Sequence, residues 1–491
     1  MAQELKLYER QSAVIDALHH AFPLYKNILV QAPCGFGKTE LATAILMTVK
    51  KRYKRGAFVM DRIALVNQAS ERFDKYGLDH SIMQAQNERF QRDNPIQIVS
   101  LQTLKDDPLD VQLMVVDECH VLPASLKRRL DRRGCYTIGL TATPFTKGLG
   151  KFFDHVINAA TTNELIAEGK LVPYRVFAAS EPDMTGAKVV AGEWSEKEVE
   201  SRTLPIIGDV IEGYKEHGQG KKFIAFASSV VHAEELQRQF MAAGVVVNLY
   251  TYKQNDEERA ASVEEFRKPD SYIRGLISIE SLTRGFDVPD IEVLILARPL
   301  RKALAVHIQM LGRVLRTSPN TGKTEAIVLD HSGNCMRFWT EVQDFFENGI
   351  DELDGGKPKE AKAAAKKVEK KPAKCPTCFH VHDAAPACPS CGNLYTRSGV
   401  IDQVAGVLKE VKGKAAKVVP TSDEKRKFYG QLRQIAIDRK RNDKWALAKF
   451  REKFNEWPAR NDVPPMEPTP AVLNWVQSRN MAYAKAKAKG V

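Results

Sequence analysis

Short, strongly apolar runs alternate with segments of helical spacing, and this alternation occurs twice along the chain of 491 residues. The apolar runs of the first series are residues 27–33, 56–61, 96–103, 113–118 and 136–143. Those of the second are residues 222–229, 245–251, 272–279, 292–299 and 325–330. Because parallel strands need helical crossovers and are buried on both faces, each series predicts a parallel sheet covered by helices.

The alternation and the composition together divide the chain into six predicted parts. Two α/β domains are expected, residues 1–165 and 205–350, separated by a less regular connector over residues 166–204. Residues 351–374 are predicted to be a Lys-rich linker, because residues 355–374 lack large apolar side chains and cannot bury a core. A cysteine cluster follows at residues 375–392. Residues 393–491 then form a basic C-terminal region with a helical pattern at about 423–454.

The formal net charge of +12 is concentrated in the last third of the chain. Residues 355–374 carry eight Lys against two Glu, and residues 401–491 carry twenty Lys or Arg against ten acidic residues. The rest of the chain is net negative. This distribution is typical of an appended region that contacts nucleic acid, and a solubilising tail is the alternative.

A content of 43% hydrophobic and 27% charged residues describes a soluble globular protein. The sequence has no run of eighteen apolar residues, and no apolar signal segment follows residues 1–6. We therefore expect a cytoplasmic protein with reduced thiols and no membrane partner.

The stretch QAPCGFGKTE follows the first predicted strand and precedes a helical segment, which is the context of a phosphate-binding loop. Backbone N–H groups would hold the phosphates, Lys38 would reach the β and γ oxygens, and Thr39 would bind Mg²⁺. A glycine turn is the alternative. The predicted nucleotide contacts are Pro33, Cys34, Gly35, Phe36, Gly37, Lys38, Thr39 and Glu40.

An acidic pair, Asp117 and Glu118, ends the apolar run of VVDECH. A carboxylate at the end of a buried strand is costly without a cation. The pair therefore suits two roles, Asp117 as a magnesium ligand and Glu118 as the residue that polarises the attacking water.

With these residues in place, residues 1–345 resemble the core of a superfamily 2 helicase of the DEAH type, because the motifs occur in that family's order. Gln11 resembles the glutamine that reads adenine, DECH supplies His120, and TAT supplies Thr141 and Thr143 as coupling residues. Residues 61–68 and 100–104 resemble the motifs that contact the nucleic-acid strand. Residues 226–236 and 282–290 resemble two motifs of the second domain, the latter with Gly285 and Asp287 as nucleotide contacts.

The segment QMLGRVLR carries Gln309, Arg313 and Arg316 and resembles the last motif of that family, which implies that Gln309 is a nucleotide contact. A spacing of three residues would place both arginines on one helical face. Across a cleft between two RecA-like domains they would stabilise charge on the γ-phosphate of ATP. The resemblance thus implies catalytic roles for Lys38, Asp117, Glu118, Arg313 and Arg316.

Two Cys-x-x-Cys pairs separated by nine residues form the cluster CPTCFHVHDAAPACPSCG. Four thiolates complete a tetrahedral zinc shell and leave no open position, so a structural zinc site is predicted. The ligands would be Cys375, Cys378, Cys388 and Cys391. His380 and His382 lie nearby and are not needed as ligands.

Aromatic and basic residues are interleaved in the C-terminal region. Phe428, Tyr429, Trp445, Phe450, Phe454 and Trp457 either stack on bases or form a small core, and the core is the preferred interpretation. Lys440, Arg441, Lys444 and Arg451 would then face phosphates.

The whole arrangement resembles the RadD-like branch of bacterial and phage DNA helicases, which implies DNA repair, recombination or replication. The predicted partners are single-stranded or branched DNA and single-strand-binding or other replication and repair proteins. The alternatives are an RNA helicase, the motor subunit of a restriction system, and a DNA-binding adaptor that is no motor. DECH and QMLGR depart from the Asp-Glu-Ala-Asp and His-Arg-x-Gly-Arg forms of one group of RNA helicases.

Overall fold

The computed structural model describes residues 3–356, 372–395 and 421–479, apart from short gaps. The gaps are residues 53, 62, 85–86, 106–108, 179–180, 280–287, 455, 460–461, 470–471, 474 and 478. Two compact units are present, residues 1–397 and 398–491.

The first sheet is parallel throughout and has the strand order β3-β4-β2-β5-β6-β1-β7. Its strands are β1 (Asn27–Gln31), β2 (Gly56–Met60), β3 (Ser81–Met83), β4 (Ile96–Ser100), β5 (Leu113–Val116), β6 (Tyr136–Thr141) and β7 (His155–Asn158). The helices of this domain are α1 (Glu9–Ala21), α2 (Lys38–Lys51), α3 (Ile63–Lys75), α4 (Ala124–Arg132) and α5 (Thr162–Ala167). The strands β1, β2 and β4 are buried along their whole length, as a sheet covered on both faces requires.

The second sheet is mixed, with the order β12-β13-β11-β14-β15-β8-β17-β16. Its strands β8 (Tyr174–Phe177), β11 (Phe223–Phe226), β12 (Val247–Tyr250), β13 (Gly275–Ser278), β14 (Val293–Leu296) and β15 (Ala326–Asp330) are parallel. Two further strands, β16 (Pro372–Lys374) and β17 (His380–Asp383), extend it in antiparallel fashion. A separate hairpin contains β9 (Val189–Val190) and β10 (Glu193–Trp194).

The helices of the second domain are α6 (Glu196–Thr203), α7 (Ile207–Gly213), α8 (Val230–Ala242), α9 (Asp256–Arg267), α10 (Leu304–Val314), α11 (Asn334–Arg337) and α12 (Trp339–Asn348). Short 3₁₀ or π turns lie at Thr103–Lys105, Leu149–Lys151, Leu204–Ile206 and Tyr214–Gly218. Two RecA-like sheet domains in tandem confirm the predicted fold class.

The predicted connector is more structured than its sequence pattern indicates. Its strand β8 pairs with β15 and so belongs to the second sheet. On its other side β8 pairs with β17 of the cysteine segment, from His380↔Phe177 to Val381↔Val176. The second sheet therefore draws strands from three separate stretches of chain, while the predicted domain limits remain predictions.

The unit of residues 398–491 contains α13 (Ser422–Asp438) and α14 (Asp443–Phe454), which confirms the predicted basic helical region. Its core consists of Tyr429, Leu432, Ile435, Ala436, Ala446, Phe450, Val463, Val472 and Val476. Thr421 caps α13 by accepting from the Glu424 amide, while the Glu424 carboxylate accepts from the Thr421 amide. Within the described parts of the chain, no helix is long and apolar enough to cross a membrane.

Candidate functional site

The loop between β1 and α2 has two positions that require glycine. Gly35 and Gly37 have φ values of +88° and +81°, a region that side chains disfavour. A Cβ on Gly37 would lie 2.5 Å from Gln11 Nε2, and one on Gly35 would lie 2.8 Å from Leu171 Cδ2. Because α2 begins at Lys38, the unpaired N–H groups of its first turn create a place for an anion.

Gln11 and Tyr8 hold this loop in place. Gln11 Nε2 donates to the carbonyl oxygens of Phe36 at 3.1 Å and Gly37 at 3.2 Å. The Tyr8 hydroxyl donates to the Phe36 oxygen at 2.8 Å. Fixing the loop is a role of Gln11 that has no signal in the sequence. Its predicted contact with adenine stays a prediction.

Asp117 and Glu118 follow β5, deep in the fold and open to a cleft. Withdrawal from water, together with the charge of Glu118, raises the pKa of Asp117. Withdrawal from water also opposes ionisation of Glu118, but His120, Lys38 and Arg313 outweigh it and lower its pKa. Glu118 Oε2 lies 3.3 Å from His120 Nδ1 without a well-directed hydrogen bond, and Glu118 has a strained φ of +46°. A strained carboxylate that faces the cleft and retains acceptor capacity fits a site that positions a water or a cation.

A chain of hydrogen bonds joins the acidic motif to the second domain. His120 Nδ1 lies 2.9 Å from Thr141 Oγ1, and the Thr143 amide donates to that hydroxyl at 3.0 Å. Gln309 Nε2, from α10, donates to Thr143 Oγ1 at 3.0 Å and lies 3.4 Å from His120 Nε2. A proton on Nδ1 would let the ring donate toward Thr141 Oγ1, and Glu118 Oε2 lies 3.3 Å from the same nitrogen. The structure thus brings the predicted coupling residues and Gln309 together.

Residues of both sheet domains line one cleft of about 730 Å³, called the interdomain cleft here. Its volume is within the usual range for small-molecule sites. The first domain contributes Lys38, Thr39, Glu40, Asp117 and Glu118, and the second contributes Arg267, Pro289, Arg313, Arg316 and Thr317. Burial lowers the pKa of Arg316. The predicted catalytic residues therefore face one space.

The expectation that both arginines share a helical face is wrong. Helix α10 ends at Val314, so Arg313 lies on the helix and Arg316 lies beyond it. Arg316 instead pairs through its backbone with Leu171, and the Val172 amide donates to the Leu315 oxygen at 2.8 Å. This pairing with the connector directs the chain after α10 past the phosphate loop.

The phosphate loop and α10 approach each other closely at Gly312. A Cβ at this position would lie 2.6 Å from Cys34 Sγ. Cys34 and Pro33 also line a small cavity with residues of α10 and α12.

The other predicted nucleotide contacts have different surroundings. The side chain of Phe36 is buried, and Glu40 pairs with Arg72. Gly285 and Asp287, two predicted nucleotide contacts, lie outside the described residues.

The four cysteines of the predicted metal site converge. Cys375 Sγ lies 3.6 Å from Cys391 Sγ, Cys378 Sγ lies 3.7 Å from Cys388 Sγ, and all four sulfurs lie within 4.8 Å of one another. Zn–S bonds of about 2.3 Å in a tetrahedron imply sulfur separations of about 3.8 Å. All eight cysteines of the chain are free of disulfides. The donor set therefore fits Zn²⁺.

The local backbone and the histidines agree with this donor set. Phe379 and Gly392, each directly after a cysteine pair, have φ values of +57° and +73°, so each pair ends in a tight turn. His382 contacts the Asp383 carbonyl and the Tyr395 hydroxyl, both at 2.6 Å. His380 Nδ1 lies 4.0 Å from Cys388 Sγ, and the four thiolates complete a tetrahedral shell without it.

Two family models match the chain in tandem. The model described as "Type III restriction enzyme, res subunit" matches residues 4–146, and the model described as "Helicase conserved C-terminal domain" matches residues 204–318. The first contains the phosphate loop and the acidic pair. The second contains Gln309, Arg313 and Arg316.

Sequence relatives are distant. The chain is 25% identical over 335 residues to a 51.5 kDa protein of a Lactococcus phage (isolate 7-9), covering 65% of this chain and 70% of the relative. It is 26% identical over 358 residues to the "Putative mitochondrial ATP-dependent helicase irc3" of Schizosaccharomyces pombe, covering 68% and 58%. A fragment of "a putative HsdR subunit of a type I restriction enzyme" from Vibrio vulnificus YJ016 superposes with a TM-score of 0.55. That match has 20% identity and covers 73% of this chain and 68% of the other, which shows a common fold.

Proposed function

Since the chain belongs to superfamily 2 of the helicases, we propose that it hydrolyses ATP in the interdomain cleft to move on DNA or to remodel it. One observation carries the proposal. Lys38 and Glu118 of the first domain and Arg313 of the second line the same cleft. A site that needs both domains can link hydrolysis to their relative movement.

Six residues that line the interdomain cleft have proposed roles. Lys38 and the first turn of α2 hold the phosphates, and Thr39 with Asp117 would hold Mg²⁺, which neutralises phosphate charge when bound. Glu118 orients and polarises the attacking water through its cleft-facing carboxylate. Arg313 and Arg316 stabilise the charge that develops on the transferred phosphoryl group.

The contacts of Gln309 with the first domain could transmit the nucleotide state of the interdomain cleft between the two sheet domains. Gln309 contacts Thr143 and His120, and His120 is two residues from Glu118. A shift of α10 would change these contacts and the surroundings of Glu118 together. Different affinities for DNA in the two arrangements would turn each cycle of hydrolysis into a step.

DNA is the proposed partner, with single-stranded or branched forms preferred. The motif forms DECH and QMLGR and the resemblance to the RadD-like branch support this choice and a role in repair, recombination or replication. Single-strand-binding or other replication and repair proteins are the proposed protein partners. The zinc site is proposed to be structural, because four thiolates complete its shell.

The test is ATP turnover with single-stranded DNA, duplex DNA, forked DNA and RNA as separate activators. We expect DNA to stimulate hydrolysis more than RNA, and Lys38→Ala to abolish turnover. Stimulation by RNA alone would favour an RNA helicase. Turnover that persists in Lys38→Ala would contradict the motor itself, and wild-type protein that binds DNA without turnover would favour the adaptor. If DNA stimulates turnover but the chain translocates only when a nuclease partner is present, the result would favour a restriction motor.

A further inference from the structure

Six aromatic residues of the C-terminal unit, those for which the sequence left two roles open, separate into two groups in the structure. Tyr429 and Phe450 are buried, and three others pack partly buried against the same core: Phe428, Trp445 and Phe454. Trp457 is 57% exposed. The core interpretation therefore explains five of the six residues and leaves one large apolar ring in water.

Trp457 is held by a cation. The Arg451 guanidinium lies 4.8 Å from the centroid of its ring, and Arg441 lies 5.4 Å from the ring of Trp445 in a similar way. A guanidinium covers one face of a ring and orients it. The other face of an exposed ring then remains available to a second planar group.

Exposed positive charge lies at the start of α14 and just before it. Four exposed residues, called the basic turn here, are Arg439, Lys440 and Arg441 between α13 and α14 and Lys444 in the first turn of α14. Lys444 and Arg451 are seven residues apart, which places them on one face of α14 about 10 Å apart. One face of α14 therefore carries a basic residue near each end, and Trp457 follows the C-terminal end of the helix at Phe454.

The acidic residues near α14 are already occupied. They pair as Asp443 with Arg433 at 3.3 Å, Glu452 with Lys449 at 2.6 Å and Glu456 with Lys425 at 2.8 Å. In the described part of the chain, no carboxylate oxygen forms an ion pair with a residue of the basic turn. Asp438 accepts from Gln434 Nε2 at 2.8 Å, and residues 438–444 carry four basic and two acidic side chains, a formal net charge of +2.

We propose that Trp457 is a stacking platform for an unpaired base of single-stranded nucleic acid, with the basic turn, at the other end of α14, contacting phosphates several nucleotides further along the strand. Such a strand matches both features, because every base has a face for stacking and every linkage carries a negative charge. The inference rests on the proposed function in one respect, that the chain works on nucleic acid. It adds a contact surface outside the two sheet domains.

Binding of fluorescein-labelled dT20 and U20 to the full chain, followed by anisotropy at several salt concentrations, tests the platform. Trp457→Ala is expected to raise Kd about 5- to 150-fold for a strand that stacks on it, with the salt dependence unchanged. The two oligonucleotides distinguish DNA from RNA. The double change Arg441→Gln with Lys444→Gln is expected to weaken binding and to reduce the slope against log salt by about 1.4.

Ile437→Ala is the matched control, because Ile437 is a 54% exposed apolar residue of the same unit without a ring. Its Kd should equal that of the wild type, and Trp457→Phe should restore most of the affinity. Wild-type affinity of Trp457→Ala for both strands would overturn the platform. The motor is judged separately, since a chain that binds through Trp457 without ATP turnover contradicts only the proposed function.

Discussion

The side-chain amide of Gln309 contacts His120 and Thr143, which belong to two different motifs of the first domain. It is 3% exposed, so its bond to Thr143 is formed away from solvent. The sequence predicts Gln309 as a nucleotide contact. The structure adds a direct bond between the domains.

Replacing Gln309 with Ala tests this coupling. The change leaves the Thr143 hydroxyl and His120 Nε2 without their partner at a cost of about 1–3 kcal/mol, which corresponds to roughly 5- to 150-fold in an equilibrium. We expect the stimulation of ATP turnover by DNA to fall by a factor in that range while the KM for ATP changes little. Measuring turnover with and without DNA decides this, and full stimulation in the variant would contradict the coupling role.

Some site residues are readable from the sequence because their chemistry is local. Lys38 and Thr39 follow a strand and open a helix, and Asp117 and Glu118 end a strand, so short patterns identify them. The contacts of Gln11 with Phe36 and Gly37 join residues 25 and 26 positions apart, and no local pattern encodes them. The same holds for the place of Arg316 beyond α10, because its backbone pairs with Leu171, which lies 145 positions earlier in the chain.

At the scale of elements, a buried lysine fixes the C-terminal end of α10. Lys323 is 7% exposed, and its ammonium group donates to the carbonyl oxygens of Val314 and Ile291. Val314 is the last residue of α10, so this contact caps the helix that carries Arg313. Burial lowers the pKa of Lys323 to about 7.

Lys323→Met is expected to lower the free energy of unfolding by about 2–4 kcal/mol, since two buried carbonyl groups lose their donor. Denaturant unfolding followed by circular dichroism measures the change. The control is Lys302→Met, because Lys302 is exposed and should change stability by less than about 0.5 kcal/mol. Equal stability of both variants would mean that the cap contributes nothing.

The cysteine segment stabilises the edge of the second sheet. Its strand β17 pairs with β8, and Trp339 Nε1 donates to Asp383 Oδ1 at 2.9 Å. Local patterns could not predict this arrangement, because the paired residues Phe177 and His380 are about 200 positions apart. The sequence predicts the zinc ligands from their spacing, but not the sheet that they support.

Loss of the metal should therefore destabilise the β8–β17 edge of the second sheet. Cys378→Ser is expected to reduce zinc content from about one ion per chain to near zero and to speed amide exchange in β8 and β17. Elemental analysis and hydrogen exchange measure both effects. Cys135→Ser, which changes a cysteine outside the cluster, should leave both unchanged. Unaltered protection of β8 in the zinc-free variant would show that the metal does not hold this edge.

At the scale of the whole molecule, truncation after residue 397 tests the role of the basic C-terminal region. This cut coincides with the boundary between the two compact units and removes the basic residues of positions 401–491. Cutting at residue 354 would remove β17 from the second sheet as well as the basic region. A chain of residues 1–397 should keep basal ATP turnover, bind DNA more weakly and show a smaller salt dependence, since it lacks the basic residues of positions 401–491. Titration of DNA at two salt concentrations measures this. Unchanged affinity would assign the basic region to another partner.

We propose that hydrolysis needs residues of both sheet domains, and ATP turnover by Arg313→Ala isolates the contribution of the second domain. Arg313 comes from the second domain, whereas Lys38 and Glu118 come from the first. We predict that DNA-stimulated turnover falls by about 10³-fold or more while the variant still binds ATP. Turnover at the wild-type rate would contradict the account, because the first domain would then be sufficient for the chemistry.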